Sequence, residues 1–475
     1  MKSIIKYKFF CKAILLLVIS FTLQSCFVAK NYERPELVET QNLFRTDNLP
    51  TDSLSLAAIS WKTLFTDNYL NQYIEEGLQN NIDIRIAIQQ IAAAEAYVRQ
   101  GKMGYLPTLN GNVSASRNYL SENGQQGAIL SSLGQDHIDQ FELSAALSWE
   151  ADIWGKIRSN KRAFQASYLQ SIAAHQAVKT QLISSIATTY YQLLALDAQL
   201  AITKQTIDTR EKGVETIKAL KDAGQVTQVA VDQNIAQYNN AKALELDIET
   251  SIFKTENALS ILLGKVPQHF ERSSLNNQEI ETDLKLGVPA KLLSNRPDVM
   301  AAEYGLIQSF ELTNVAKSSF YPSLTLTATG GFQSLDFDEL FNANSLFANL
   351  VSGLAQPIFN QRKIRTQHEV AKAQQEQAVL NFKNSLLVAG NEVSNALFTF
   401  TIETRKFEYI KNEVEALRNA ENNSEELLKN GYANYLDLLT ARQSALSAEL
   451  NLINNKLSQL SATVELYRSL GGGWQ

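Results

Sequence analysis

The chain has 475 residues, of which 45% are hydrophobic and 19% charged, enough to bury a core and too apolar for compositional disorder. A formal charge of −6 without basic clusters gives no footing for a nucleic-acid partner. Only 8 prolines and 21 glycines interrupt the sequence, so very long helices are permitted.

The first element is an export signal. Lys2, Lys6, Lys8 and Lys12 precede the apolar run Ala13-Ile14-Leu15-Leu16-Leu17-Val18-Ile19, which is too short to span a bilayer and has the form of a secretory signal over residues 1–25. Leu23-Gln24-Ser25-Cys26 resembles a bacterial lipobox, with Leu at −3, a small residue at −1 and then the cysteine to be acylated; Gln24 is its less usual member. The alternative is an ordinary signal peptide with an incidental cysteine. Of the two cysteines, Cys11 would be removed with the signal and Cys26 would become the first mature residue, leaving no free thiol in an oxidising compartment. Phe27 follows it in place of the Asp that holds lipoproteins at the inner membrane, which favours outer-membrane lipid. Apart from a covalent lipid on Cys26, no cofactor is expected. Residues 26–60 read as a lipid-anchored extension. Nothing later approaches the ~18–20 apolar residues of a membrane helix, so any crossing must be made by β-strands.

The remainder reads as two copies of one unit, 61–265 and 266–475. Leu106-Pro107 returns as Tyr321-Pro322 at a lag of 215, and Ala151-Asp152-Ile153-Trp154 as Gln356-Pro357-Ile358-Phe359 at a lag of 205. Leu220-Lys221-Asp222-Ala223-Gly224 returns as Leu428-Lys429-Asn430-Gly431 at a lag of about 207. Same-order copies point to a pseudo-symmetric internal repeat.

Each copy opens with a helix, about 67–104 in the first and 296–318 in the second. Two β segments follow. Leu109, Gly111, Val113 and Ala115 share one face, then Phe141, Leu143, Ala145, Leu147 and Trp149 alternate with polar or small residues. In the second copy Leu324, Leu326, Ala328 and Phe332 alternate with Thr325, Thr327 and Thr329, whereas 346–355 alternates poorly and is read as a strand from the repeat alone. Apolar-out, polar-in alternation is the membrane-barrel pattern, though any exposed antiparallel sheet alternates too.

Long helices close each copy. No proline lies between Lys156 and Leu263 or between Lys363 and Leu470. The first helix of each pair should run some 65 residues, or ~100 Å. Leu182, Ile186, Leu193, Leu196 and Leu200 form one apolar stripe, and Ala163, Ala166, Ala173, Ala177, Ser184 and Ala187 a second stripe of small residues. Two stripes let a helix touch neighbours on both sides, as a wall of helices requires; an ordinary coiled-coil hairpin is the competing reading. Gly224 and Gly431 mark the hairpin turns.

No catalytic constellation is present, so an enzyme is not expected. The four histidines, 137, 175, 269 and 368, are scattered, and there is no metal-ligand set, nucleophile elbow or phosphate loop.

Several passages together resemble the lipoprotein branch of the TolC-like outer-membrane efflux proteins. They are Tyr32-Glu33-Arg34-Pro35, Trp61-Lys62-Thr63-Leu64-Phe65-Thr66-Asp67 with Leu70, Leu262-Leu263-Gly264 with Pro267, Val288-Pro289-Ala290, Arg296-Pro297-Asp298-Val299, Phe320-Tyr321-Pro322-Ser323 and the ending Leu470-Gly471-Gly472-Gly473-Trp474. The resemblance implies a mainly α fold with a transmembrane β part, in which a long-helix α-barrel joins a β-barrel. Four strands per protomer would close as a homotrimer. Independently of the resemblance, four strands cannot close a barrel, for which about eight is the practical minimum, so oligomerisation is required if they span, with dimer and trimer both open.

The implied function is a passive outer-membrane duct for small molecules, working with a periplasmic adaptor protein and an inner-membrane efflux pump. Alternatives are the channel of a type I protein secretion system and a lipid-anchored periplasmic coiled-coil scaffold. The hairpin tips, with Gly224, Thr227, Gly431, Asn434 and Asp437, would meet the adaptor. In this branch Leu, Asp and Arg at i, i+4 and i+7 line the periplasmic constriction. Here those positions are Leu436, Thr440 and Gln443, with Asp437 and Arg442 turned off that face. The expectation is a neutral gate with a Leu436 ring.

Overall fold

The computed structural model describes residues 28–35, 60–278 and 296–474. Cys26, the signal segment and Val288-Pro289-Ala290 lie outside the described residues. In chain order the elements are α1 (Trp61–Leu64), α2 (Asn68–Asn80), α3 (Ile82–Met103), β1 (Thr108–Tyr119), α4 (Gln125–Ser132), β2 (His137–Glu150), α5 (Lys156–Asp222), α6 (Gln228–Leu262), α7 (Pro297–Ser318), β3 (Ser323–Ser334), β4 (Leu346–Ala355), α8 (Lys363–Lys429) and α9 (Tyr435–Ser469). Short 3-10 turns lie at Leu275–Asn277, Phe337–Glu339 and Ala343–Ser345. The chain is mainly helical with one small sheet.

The two halves match in element length. The paired helices α5 and α8 have 67 residues each, α6 and α9 have 35 each, and α3 and α7 have 22 each.

The single helix expected over about 67–104 is instead divided at Asn81. Its side-chain oxygen accepts from the backbone N–H of Asp83 at 2.8 Å and Ile84 at 3.1 Å, capping α3. Its amide donates to Leu262 O at 2.9 Å, tying the break to the end of α6. An Asn that satisfies orphan N–H groups this way stabilises a helix start more than a continuing helix would use it. The strand at 346–355 is present as β4. Its alternation is weak because Phe347 and Val351 stand on the face that is polar elsewhere in the sheet. Helix α4, in the β1–β2 connection, is not among the elements expected from the sequence.

The contacts divide the chain into two compact units. Of the described residues, the first comprises 28–35, 92–169 and 303–380, and holds the sheet. Its strands run antiparallel in the order β1-β2-β3-β4. Residues 28–35 lie along α7 here: Asn314 accepts from Lys30 N at 3.3 Å and donates to Lys30 O at 3.0 Å, Tyr32 packs edge-on against Phe310, and Arg34 pairs with Glu303 at 3.2 Å.

The second unit comprises, of the described residues, 60–91, 170–278, 296–302 and 381–474. Its core gathers Phe65, Leu70 and Ile74 with Ile186, Tyr190 and Leu193 from α5, Leu259 from α6, Phe400 from α8 and Leu466 from α9. Leu182, Ile186 and Leu193 of the expected apolar stripe are buried, as are Ala163, Ala166, Ala173, Ser184 and Ala187 of the small-residue stripe.

Candidate functional site: the sheet face and the hairpin ends

Register decides what the sheet can do, because a one-residue slip would invert every side chain. Leu109 stands opposite Leu147, Leu147 opposite Ala328, and Ala328 opposite Leu350. Val113, Leu143, Phe332 and Leu346 form a second such row. One face is therefore apolar across all four strands. The other carries Asn112, Ser144, Gly331 and Phe347 in one row and Asn110, Ala146, Thr329 and Asn349 in another.

The apolar face lies bare: Leu109, Val113, Leu350 and Leu354 are each about two-thirds exposed or more, at 70%, 78%, 70% and 67%. Aromatic residues flank it at both ends. Phe141 meets Phe337 and Phe332 meets Phe341 at one end, with centroids 5.5 and 5.9 Å apart. At the other, Trp149 Nε1 donates to Tyr105 O at 2.9 Å and Trp154 stacks on Tyr321. Between the flanks β2 runs from Phe141 to Trp149, about the nine residues a tilted strand needs to cross a bilayer. An apolar band with aromatic girdles suits lipid outside, and the opposite face suits water. Among the described residues no helix is long and apolar enough to cross a membrane.

The hairpin ends belong to the second unit. Both long helices stop in the same way. Gly224 N–H donates to Lys221 O and Gln225 N–H to Leu220 O, at 2.8 and 2.9 Å; Gly431 and Tyr432 repeat this on Leu428 and Leu427 at 3.0 and 2.8 Å. Gly224 and Gly431 have φ of +73° and +76°, a left-handed cap that lacks the Cβ penalty only in glycine. Thr227 occupies the N-cap of α6 without a side-chain cap bond. Asn434 and Asp437 form a capping box at the start of α9, each side chain accepting from the other's backbone N–H. The sequence-predicted tip residues thus come together as two turns, and most have local structural work there.

Leu436 and Thr440 share an uncovered face of α9, and Thr440 Oγ1 donates to Leu436 O at 2.9 Å. Gln443, expected in the gate ring with them, has its amide oxygen engaged: Arg210 Nη2 donates to it at 2.8 Å. Arg442 is turned to α8, pairing with Glu425 at 3.1 Å.

Sequence reasoning missed the polar ties that join the two hairpins. Arg210, on α5, is buried and also donates to Gln237 O at 2.5 Å, while Tyr435 OH on α9 donates to Asn234 Oδ1 on α6. Burial, and then the charge of nearby Arg442, push the Arg210 guanidinium below its ordinary value. The signal was present: Arg210 follows buried Ile207 by three positions and precedes buried Ile217 by seven, so it interrupts an apolar stripe. Elsewhere in the unit Asp67 accepts from Tyr69 N and Leu70 N, Tyr190 OH, Ser273 Oγ and Gln278 Nε2, which gives the Trp61–Asp67 passage a structural purpose. Among the described residues no group of three or more His, Cys, Asp or Glu could hold a metal ion.

Comparison with known proteins agrees with this geometry. The profile of the family described as outer membrane efflux protein matches residues 73–265 and 288–472. The solvent efflux pump outer membrane protein SrpC of Pseudomonas putida is 30% identical over 424 residues, 89% of each chain. The cation efflux system protein CusC of Escherichia coli is 26% identical over 96% of this chain and 98% of its own. The crystal structure of the open state of the Neisseria gonorrhoeae MtrE outer membrane channel superposes with a TM-score of 0.82 at 25% identity, covering 94% of this chain and 98% of that one. The chain belongs to the outer membrane efflux protein family.

Proposed function

We propose that the protein is the outer-membrane channel of an efflux system, a passive duct that carries small molecules from a pump and its periplasmic adaptor to the cell exterior. The bare apolar band on the four-stranded sheet carries this reading, joined to membership of a family whose named members serve solvent and cation efflux. A sheet with one lipid-suited face and two free edges is not a finished structure, since free edges in a bilayer leave backbone groups without partners. Closure by further copies of the chain satisfies them, and three copies would give twelve strands. The polar sheet face would then line the pore. The equal helix lengths in the two halves support an internal duplication, with the long hairpins of all copies forming the walls of one helical barrel.

Cys26 is the proposed lipid attachment site, two residues before the strap that lies along α7. The hairpin tips around Gly224, Thr227, Gly431, Asn434 and Asp437 are the proposed adaptor contact. Leu436, with Thr440 beside it, is the proposed gate, and Gln443 joins them as a tie to Arg210 across the hairpins. No catalytic step is needed for this task.

Purified lipidated protein should insert into planar bilayers and give discrete conductance steps, and its detergent-corrected mass should be about three protomers. A stable monomer with intact β signal and no conductance would overturn the channel and leave a periplasmic scaffold as the better reading.

A further inference from the structure

Where β2 ends, the chain folds onto the start of β3. Ala151 N–H donates to Leu324 O at 3.0 Å, Trp154 stacks on Tyr321 with centroids 4.8 Å apart, and its Nε1–H donates to Pro322 O at 2.8 Å. An aromatic residue leaving one strand is seated on the Tyr-Pro that opens the next. β4 leaves by the corresponding run, Gln356-Pro357-Ile358-Phe359, yet Ile358 is 100% and Phe359 88% exposed. β1 opens with the corresponding Leu106-Pro107, and Leu106 is 59% exposed. These two features sit at the two free edges of one sheet: a plug without a seat on β4, a seat without a plug on β1.

We propose that Phe359 of one copy seats on Leu106-Pro107 of a second copy, and that this contact fixes the register in which β4 pairs with β1. The strand partners then follow from the β2–β3 pairing and the lags between the repeats: Leu354 opposite Gly111, Leu350 opposite Ala115 and Leu346 opposite Tyr119. This rests on closure of the sheet by further copies and adds the place and register of the seam.

Two independent features agree with it. Every residue of β4, Leu346–Ala355, finds a partner within β1, Thr108–Tyr119. Both faces also continue across the seam, with Asn349 and Gly353 opposite Ser116 and Asn112 on the polar side. A one-residue slip would set Leu350 and Leu354 among those polar side chains.

The seam between copies differs from its counterpart within the chain in two respects: Leu106 offers no ring where Tyr321 stacks on Trp154, and a hydrogen bond is missing. Trp154 contributes an indole N–H to Pro322 O, and Phe359 has none to give. The inter-copy seam is one hydrogen bond poorer, so it is the weaker joint of the closed sheet.

The test uses full-length lipidated protein in detergent. Signal removal takes Cys11 and acylation occupies Cys26, so introduced cysteines are the only thiols. Phe359→Cys combined with Leu106→Cys should be joined between chains by a short bis-maleimide, seen as higher-mass bands on a denaturing gel, and neither single variant should be. Leu354→Cys with Gly111→Cys should link more efficiently than Leu354→Cys with Val113→Cys; the reverse order overturns the register. Phe359→Trp should raise the temperature at which the oligomer dissociates, Phe359→Ala should lower it, and no change in either overturns the seat. An oligomer of about three protomers that never links through residues 359 and 106 defeats this contact and leaves closure standing. A monomer defeats both.

Discussion

At Asp67 burial and hydrogen bonding act in opposite directions. Burial alone would raise the carboxyl, but hydrogen bonds from Ser273, Tyr190 and Gln278 outweigh it and hold the group below its usual range. Asp298 and Glu392 follow the same pattern, with burial opposed by Arg296 for the first and by Arg296 and Arg468 for the second. A depressed carboxylate adds stability that is fully present above its unfolded pKa, about 4, and is lost as pH falls through the folded value. The thermal midpoint of the helical unit, followed by circular dichroism, should hold steady down to about pH 5 and fall below about pH 4. Asp67→Asn should unfold at lower temperature at pH 7, by an equivalent of about 2 kcal/mol, and show a shallower acid limb. At the hairpin end, Leu436→Ser should raise single-channel conductance or antibiotic leakage. Removing about 2 kcal/mol of apolar contact would shift a closed–open balance roughly tenfold or more. Asp437→Ala should change conductance little, because its carboxylate is occupied in a capping box, and added salt should likewise have a weak effect on a hydrophobic ring. An open channel in Asp437→Ala with a closed one in Leu436→Ser places the charge, not the leucine, at the constriction.

Among the elements, the helix ends are the most uniform. Gly431→Ala or Gly224→Ala forces a Cβ into a left-handed cap and should destabilise its turn by about 1 kcal/mol. Amide exchange at Leu427–Tyr432 should then quicken about fivefold in Gly431→Ala, with exchange near Ile186 unchanged. Equal protection in mutant and parent would remove the turn's proposed dependence on glycine. These turns were legible from sequence because the two glycines are among the few interruptions in long proline-free runs. The sheet was legible where alternation was clean, as in Phe141–Trp149, and faint where Phe347 and Val351 blurred it. Asn81 escaped because one Asn inside a periodic segment looks like a solvated position; only the distant Leu262 carbonyl makes it a break. The Tyr435–Asn234 tie escaped for the same reason, and although Arg210 stands out as a charge in an apolar stripe, its partner Gln443 is too far away in sequence to be paired with it.

For the whole molecule, Cys26→Ser should lose its lipid label and stall at the precursor size; normal processing to the same mature mass would remove the lipobox reading, while residual channel activity would not contradict it. The matched helices carry a different consequence. α5 and α8 have 67 residues each and their partners 35 each, and near the turns the two hairpins are tied where Tyr435 reaches Asn234 and Arg210 reaches Gln443. Length is therefore a shared quantity between the two halves. Removing one residue from a single arm would rotate everything beyond it by about 100° and draw it back by about 1.5 Å, so the facing partners would part. Insertions and deletions in one half should survive only alongside an equal change in the other, so the two are bound to lengthen or shorten as a pair although their side chains are free to diverge.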